Sequence, residues 1–260
     1  MKITCLAENT TSRPDIEAEH GLSLYIETNG KKILFDMGQG ELFIRNAKRL
    51  GIDLSDVDIA VISHGHYDHG GGLRSFLEIN KKAPVYISEH AFGYYYNAQD
   101  KYIGLEPALE NSDRLIFTRE NVKINDNLSL FVHSEVIDKY PSVYHGLSER
   151  ITHDATPTCD RFLHEQYLLA DEGGVRILIS GCSHKGALNI AVSFTPDIFI
   201  GGLHLSKAED EGEIVFIGSE IKKYTKKIYT CHCTGEKQFE ILGGCCPELY
   251  YIRTGDRIII

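Results

Sequence analysis

The feature that most restricts what this chain can fold into is a strand that ends in a dense cluster of metal-binding side chains. Asp58-Ile59-Ala60-Val61-Ile62-Ser63 is a short apolar run and reads as a buried strand. It feeds without a break into His64-Gly65-His66-Tyr67-Asp68-His69-Gly70-Gly71-Gly72. His64, His66, Asp68 and His69 fall within six positions, and the three glycines that follow let the backbone turn tightly and approach a ligand. Imidazole suits a borderline cation such as zinc, and carboxylate adds a harder contact or a proton acceptor. Histidines packed this densely on a strand-end loop point to a metal site. Scattered ones such as His90, His133, His145 and His164 read as packing or solvent residues.

The surrounding pattern alternates strands and helices. Lys2 to Ala7, Leu22 to Thr28 and Lys32 to Asp36 read as strands, with Asn29-Gly30 as the hairpin turn between the second and third. A helix is expected from Glu41 to Leu50, another within Leu73 to Ile79 and a third near Glu89 to Ala98. Strands are expected at Val85 to Ser88, Arg114 to Thr118, Leu128 to His133, Gln166 to Ala170, Val175 to Ser180, Asp197 to Ile200 and Lys227 to Cys231. A helix near Ala187 to Phe194 lies among the later strands. Glu248 to Arg253 and Arg257 to Ile260 read as two closing strands with Gly255-Asp256 as their turn. Residues 1–260 are expected to form one domain, with irregular insertions near 100–113 and 134–165 that serve either as lids or as surface loops.

The overall charge narrows the partners. With 27 basic against 37 acidic residues the formal net charge is -10, which disfavours broad attachment to nucleic acid or to an anionic membrane, while a local pocket for a phosphate stays open. No apolar run approaches the roughly 18 residues of a membrane span. The seven cysteines are an odd number in a chain too large to need disulfide staples, so reduced thiols and a cytoplasmic location are expected.

The motif His64-Gly65-His66-Tyr67-Asp68-His69 after a hydrophobic strand resembles the signature of the metallo-β-lactamase superfamily. The resemblance implies an α/β fold, a four-layer αββα sandwich of the metallo-β-lactamase type, with ligands on loops at one edge. It also implies that His64 and His66 join a later histidine around one metal, while Asp68 and His69 join another around a second. His184, after the strand at Val175, and His232, after the strand at Lys227, match those positions in order and context. The sequence departs from the pattern where a bridging aspartate is expected, because Gly201-Gly202-Leu203-His204 offers no carboxylate. His204 stands there either as a replacement ligand or as a hydrogen-bonding group for the substrate or the attacking water.

Glu8-Asn9-Thr10-Thr11, Glu19-His20-Gly21-Leu22-Ser23, Gly181-Cys182-Ser183-His184, Gly201-Gly202-Leu203-His204-Leu205 and His232-Cys233-Thr234-Gly235 together resemble the dihydropterin-type branch of that superfamily. From this follow one or two zinc ions, with iron or manganese as alternatives, and a metal-activated hydroxide attacking a small phosphorylated or pterin-like molecule. Asp68 and His204 are the expected catalytic groups, and Asn9, His20 and His153 the expected substrate contacts. Lactone or thioester hydrolysis and metal-dependent binding without catalysis are the competing functions. Tyr94, Tyr95, Tyr96, Tyr140 and Tyr144 are aromatics able to stack on a ligand, although ordinary packing explains them as well. A thiolate site built from Cys231, Cys233, Cys245 and Cys246 is a weaker alternative, since Cys-X-Cys and Cys-Cys lack the usual paired spacing.

Overall fold

The computed structural model describes residues 1–142 and 145–260, so Tyr144 lies outside the described residues. The chain divides into two compact units. One comprises Met1–Arg119, Gly146–Gln166 and Arg253–Ile260; the other comprises Glu120–His145 and Tyr167–Ile252.

The first unit is built on a seven-stranded sheet in the order Arg257–Ile259, Lys2–Ala7, Ser23–Thr28, Lys31–Phe35, Ile59–Val61, Val85–Ser88, Leu115–Thr118. Its first three pairings are antiparallel. Asn29 and Gly30, at φ 49 and 70, form the expected two-residue turn, because a tight hairpin needs left-handed residues to match the strand twist. The last three pairings are parallel. Parallel neighbours cannot be joined by a tight turn, and helices Leu42–Arg49 and Leu73–Ile79 make the first two crossovers, while the segment holding the strand Tyr94–Tyr96 makes the third. Phe43 and Phe76 on these helices are fully buried with Leu34, Ala60 and Val85, each large side chain adding about 1.5–3 kcal/mol of burial. The topology has a consequence for the site: Phe35 pairs with Val61, so the loops after both strands leave the sheet at one edge.

The second unit repeats the plan with the order Leu249–Tyr251, Lys227–Thr230, Ile198–Ile200, Val175–Ile179, Gln166–Glu172, Leu128–Val132, Val122–Asn125. Its strands from Val175–Ile179 to Leu249–Tyr251 are mutually parallel. Ala187–Phe194, Glu211–Ile221 and Glu236–Gly243 are their crossover helices, and Phe194, Phe199 and Leu242 pack in the core beneath them. His184, His204 and His232 therefore each follow a parallel strand. The α/β class expected from the sequence is the one found.

Three local expectations are corrected. Glu89 to Ala98 is a turn followed by a strand, Tyr94–Tyr96, which pairs antiparallel with Ser148–Arg150 inside the 134–165 insertion. Three consecutive tyrosines favour the extended backbone, and the Arg150 guanidinium lies 4.2 Å from the Tyr96 ring centre. The two closing strands do not pair with each other: Leu249–Tyr251 runs parallel to Lys227–Thr230, whereas Arg257–Ile259 pairs with Lys2–Ala7 in the other sheet. Glu211–Ile221, to which the sequence reading gave no element, is a helix whose N-cap Asp210 accepts the Gly212 N–H at 2.8 Å.

Candidate metal centre

In the first unit the site is organised by Asp36, a residue the sequence reading passed over. Asp36 leaves the strand Lys31–Phe35 in the left-handed conformation, φ 59, and is fully buried. Its carboxylate accepts the Ser63 N–H and the Ser63 hydroxyl, both at 2.7 Å, and lies 2.7 Å from His69 Nδ1. Ser63 Oγ is in turn 2.9 Å from His64 Nδ1. With its hydroxyl proton committed to Asp36, Ser63 accepts from His64, so both imidazoles have their Nδ1 engaged and offer Nε2 as the ligating atom. Carboxylate-supported histidines of this kind are what a metal site requires.

The three imidazoles crowd together, with His64 ring centres 4.6 Å from His66 and 4.1 Å from His69. Burial, then the neighbouring His164, pushes the His66 pKa down to about 3, which keeps that ring neutral and able to ligate. His69 shifts the other way: burial opposes its charge, but Asp36 and Asp68 outweigh it and raise its pKa. Asp68 is nearly buried, with Oδ2 3.2 Å from Nε2 of the exposed His20 and 3.9 Å from His69 Nε2. The Asp68 backbone is fixed as well, its carbonyl accepting the Leu22 N–H at 3.1 Å, while that of His69 accepts the Met37 N–H at 2.7 Å.

Gly65 and His164 hold the motif from behind. A Cβ on Gly65 would stand 2.3 Å from the Ala91 carbonyl oxygen, so only glycine allows His64 and His66 to flank this close backbone approach. The Gly65 N–H donates to His164 Nδ1 at 3.0 Å, and His164 Nε2 meets Asp160 Oδ2 at 3.2 Å. His66, Asp160 and His164 could by position hold an ion, their ligating atoms lying within 4.8 Å of one another. These two hydrogen bonds nevertheless engage both nitrogens of His164, which makes it a support for the loop. Replacing His164 by Ala is expected to lower the unfolding free energy by about 1–3 kcal/mol, because the buried Gly65 N–H loses its acceptor. Urea unfolding of the metal-free proteins measures this, and coincident curves would remove His164 from the supporting role.

In the second unit the loops after three parallel strands are tied to one another. Ser183 Oγ donates to the Gly202 carbonyl at 2.7 Å, the Leu203 N–H donates to Thr234 Oγ1 at 2.8 Å, and Thr230 Oγ1 donates to the Gly201 carbonyl at 3.1 Å. A Cβ on Gly202 would fall 2.3 Å from Cys233 Sγ, which explains the glycine. Ser183, His204 and His232 are all left-handed, at φ 60, 55 and 51, like Asp36 in the first unit. Such residues each cost of order 1–3 kcal/mol, and strain gathered at strand-end loops marks a functional site. The rings of His184 and His204 lie 4.2 Å apart, and their ligating atoms come within 4.8 Å of each other and of buried Cys182. His204 thus sits beside an expected ligand, at the place where the carboxylate is missing.

The remaining expected contacts are placed differently. Asn9 accepts the Gly21 N–H at 3.2 Å, tying the two N-terminal segments together. His153 is exposed and faces Tyr94 and Tyr96, with ring centres 6.3 Å away in both cases. Cys233 takes the His204 N–H at 3.3 Å, while Cys245 and Cys246 contact carbonyls of the helix Glu211–Ile221. The candidate ion-binding groups among the described residues draw on none of Cys231, Cys233, Cys245 and Cys246.

Parallel strands ending in loops of buried imidazole and carboxylate define a metal-binding α/β protein. The model of the family described as "Metallo-beta-lactamase superfamily" matches residues 16–149. A protein of Methanocaldococcus jannaschii named 7,8-dihydropterin-6-methyl-4-(beta-D-ribofuranosyl)-aminobenzene-5'-phosphate synthase is 30% identical, over 91% of this chain and 88% of its own length. The chain belongs to the metallo-β-lactamase superfamily, a fold family of metal-dependent hydrolases. A solved structure described as "a metal-dependent hydrolase of the beta-lactamase superfamily" superposes with a TM-score of 0.83 at 28% identity, covering 100% of this chain and 99% of that one. The short form of human tRNase Z, at 14% identity and a TM-score of 0.57 over 100% and 99% of the two chains, shares the fold.

Proposed function

We propose that the protein hydrolyses a small phosphoester, on a phosphorylated or pterin-like molecule, with zinc held by His64, His66, Asp68, His69, His184 and His232. The observation that carries this reading is the buried Asp36 carboxylate, which engages His69 directly and His64 through Ser63 and so prepares two Nε2 atoms for a cation. A zinc ion held by these side chains would supply a Lewis acid and would lower the pKa of a bound water from ~15.7 to ~7. Asp68, whose Oδ2 lies 3.2 Å from His20 Nε2, would hold a second metal or, with one metal bound, accept the proton of the attacking water. His204, beside His184 where the carboxylate is missing, would serve either as a replacement ligand or as a hydrogen-bonding group for the substrate or the attacking water. The phosphoester assignment draws on the M. jannaschii relative, whose name specifies a 5'-phosphate. Residues 1–260 are taken as one catalytic domain working in a reducing cytoplasm, to which seven free thiols are suited.

The test is elemental analysis of the untagged protein, paired with turnover of bis-p-nitrophenyl phosphate before and after chelation. The expected result is one to two equivalents of metal and cleavage that disappears with the chelator and returns on metal addition. Metal without cleavage would move the search to lactones and thioesters, or to the bond-forming chemistry implied by the relative's name as a synthase. Protein that never met a chelator yet holds no metal would sink the reading altogether.

A further inference from the structure

The second unit contains a cavity of 240 Å³ whose apolar part the chemistry above does not use. His184 and His204 line one part of it, and Leu188, Leu205, Tyr140 and Phe216 form apolar walls. Tyr140 and Phe216 stand edge to face, with ring centres 6.2 Å apart. Phe216, 50% exposed on the helix Glu211–Ile221, is free to present its ring to the cavity.

The Tyr140 wall is built in advance. Asn189, fully buried on the helix Ala187–Phe194, accepts the N–H groups of Lys139 and Tyr140 at 3.0 and 2.7 Å and donates to the Tyr140 carbonyl at 2.9 Å. Three hydrogen bonds to one buried amide fix the start of the 134–165 insertion against the helix, so a ligand does not have to order it. An apolar cavity of roughly 150 Å³ is known to hold a benzene ring, and 240 Å³ leaves room for a second fused ring. Glu213 also lines the cavity. Its carboxylate repels an anionic group, so a phosphate on the same ligand is directed to the imidazoles.

We infer that this cavity binds a flat group of one or two rings on the substrate, laid against the wall that Tyr140 and Phe216 form together, with the reacting end of the molecule at His184 and His204. The inference rests on the proposed hydrolase and supplies its substrate class: an aryl or heteroaryl ester in place of an alkyl one. It also gives the insertion a role as one wall of the binding site.

Binding separates this inference from the hydrolase reading, because it needs no turnover. The chain has no tryptophan, so the fluorescence of 2-naphthol can be followed on the intact, unchelated protein. Saturable binding is expected, weakened about tenfold by Phe216→Ser and by Tyr140→Ala, since each removes one ring of the aromatic wall. Phe216 is half-exposed, so its variant should retain the wild-type circular dichroism and melting curve. In turnover, Phe216→Ser should raise KM for 1-naphthyl phosphate about tenfold and leave KM for methyl phosphate unchanged. No saturable binding, or equal binding by wild type and both variants, overturns the inference even if simple phosphoesters are cleaved. Wall-dependent binding with no cleavage of any ester supports the cavity and removes the hydrolase reading instead.

Discussion

Asp68→Asn is expected to lower turnover of bis-p-nitrophenyl phosphate by about a thousandfold while leaving the protein folded. The substitution keeps the shape of the side chain and the anchoring of its backbone, where Leu22 N–H donates to the Asp68 carbonyl at 3.1 Å. It removes the negative charge that lies 3.2 Å from His20 Nε2 and 3.9 Å from His69 Nε2. An amide is a poor ligand for a borderline cation and cannot take a proton from water at neutral pH. The loss should therefore fall on kcat, with metal content reduced by at most one equivalent. Measuring kcat, metal content and the urea midpoint on one preparation separates the possibilities. Turnover within tenfold of wild type would exclude Asp68 as the proton acceptor, and a collapsed midpoint would make it structural.

The centre was legible where its chemistry is local in sequence. His64, His66, Asp68 and His69 lie so close together that no fold is needed to see them as a group. The strands that carry the loops announced themselves as apolar runs, and Asn29-Gly30 fixed a hairpin because a two-residue turn leaves few residue choices. His184 and His204 could be marked as strand-end histidines. Their ring separation of 4.2 Å follows from parallel pairing of Val175–Ile179 with Ile198–Ile200, which brings both loops to one edge.

What stayed hidden depends on contacts between distant residues. Nothing near Asp36 in the chain separates it from any other acidic residue after a strand. Its role arises because Phe35 pairs with Val61, which places a residue 33 positions earlier within 2.7 Å of His69. A single sequence carries no register, so that partner could not be named in advance. His164 was missed similarly, since it lies 99 positions from the Gly65 N–H that it accepts. The helix expected at Glu89 to Ala98 failed for another reason: Tyr94–Tyr96 finds a strand partner only in the insertion, a segment with little periodicity of its own. Glu211–Ile221, in contrast, carried a readable start signal in Asp210 followed by Glu211 and Glu213.

Asp36 gives the largest expected loss of stability. Asp36→Ala should destabilise the metal-free protein by about 3–5 kcal/mol, because it leaves a buried His69 without its counter-charge and strips the Ser63 N–H and hydroxyl of their acceptor. Asp36→Asn keeps the shape and one acceptor oxygen and should cost less. The effect also has a pH signature. The folded-state pKa of His69 is raised, against the pull of burial, by Asp36 and Asp68. A raised histidine contributes stability that is complete below the unfolded value of ~6.5 and is lost as pH rises through the folded value. The gap between wild type and Asp36→Asn should therefore be widest below pH ~6.5 and narrow on the alkaline side. Urea unfolding of both metal-free proteins across that range tests it. A gap that does not change with pH would mean that Asp36 acts only as a neutral hydrogen-bond acceptor, and an Asp36→Ala protein as stable as wild type would show that the buried network contributes nothing to the fold.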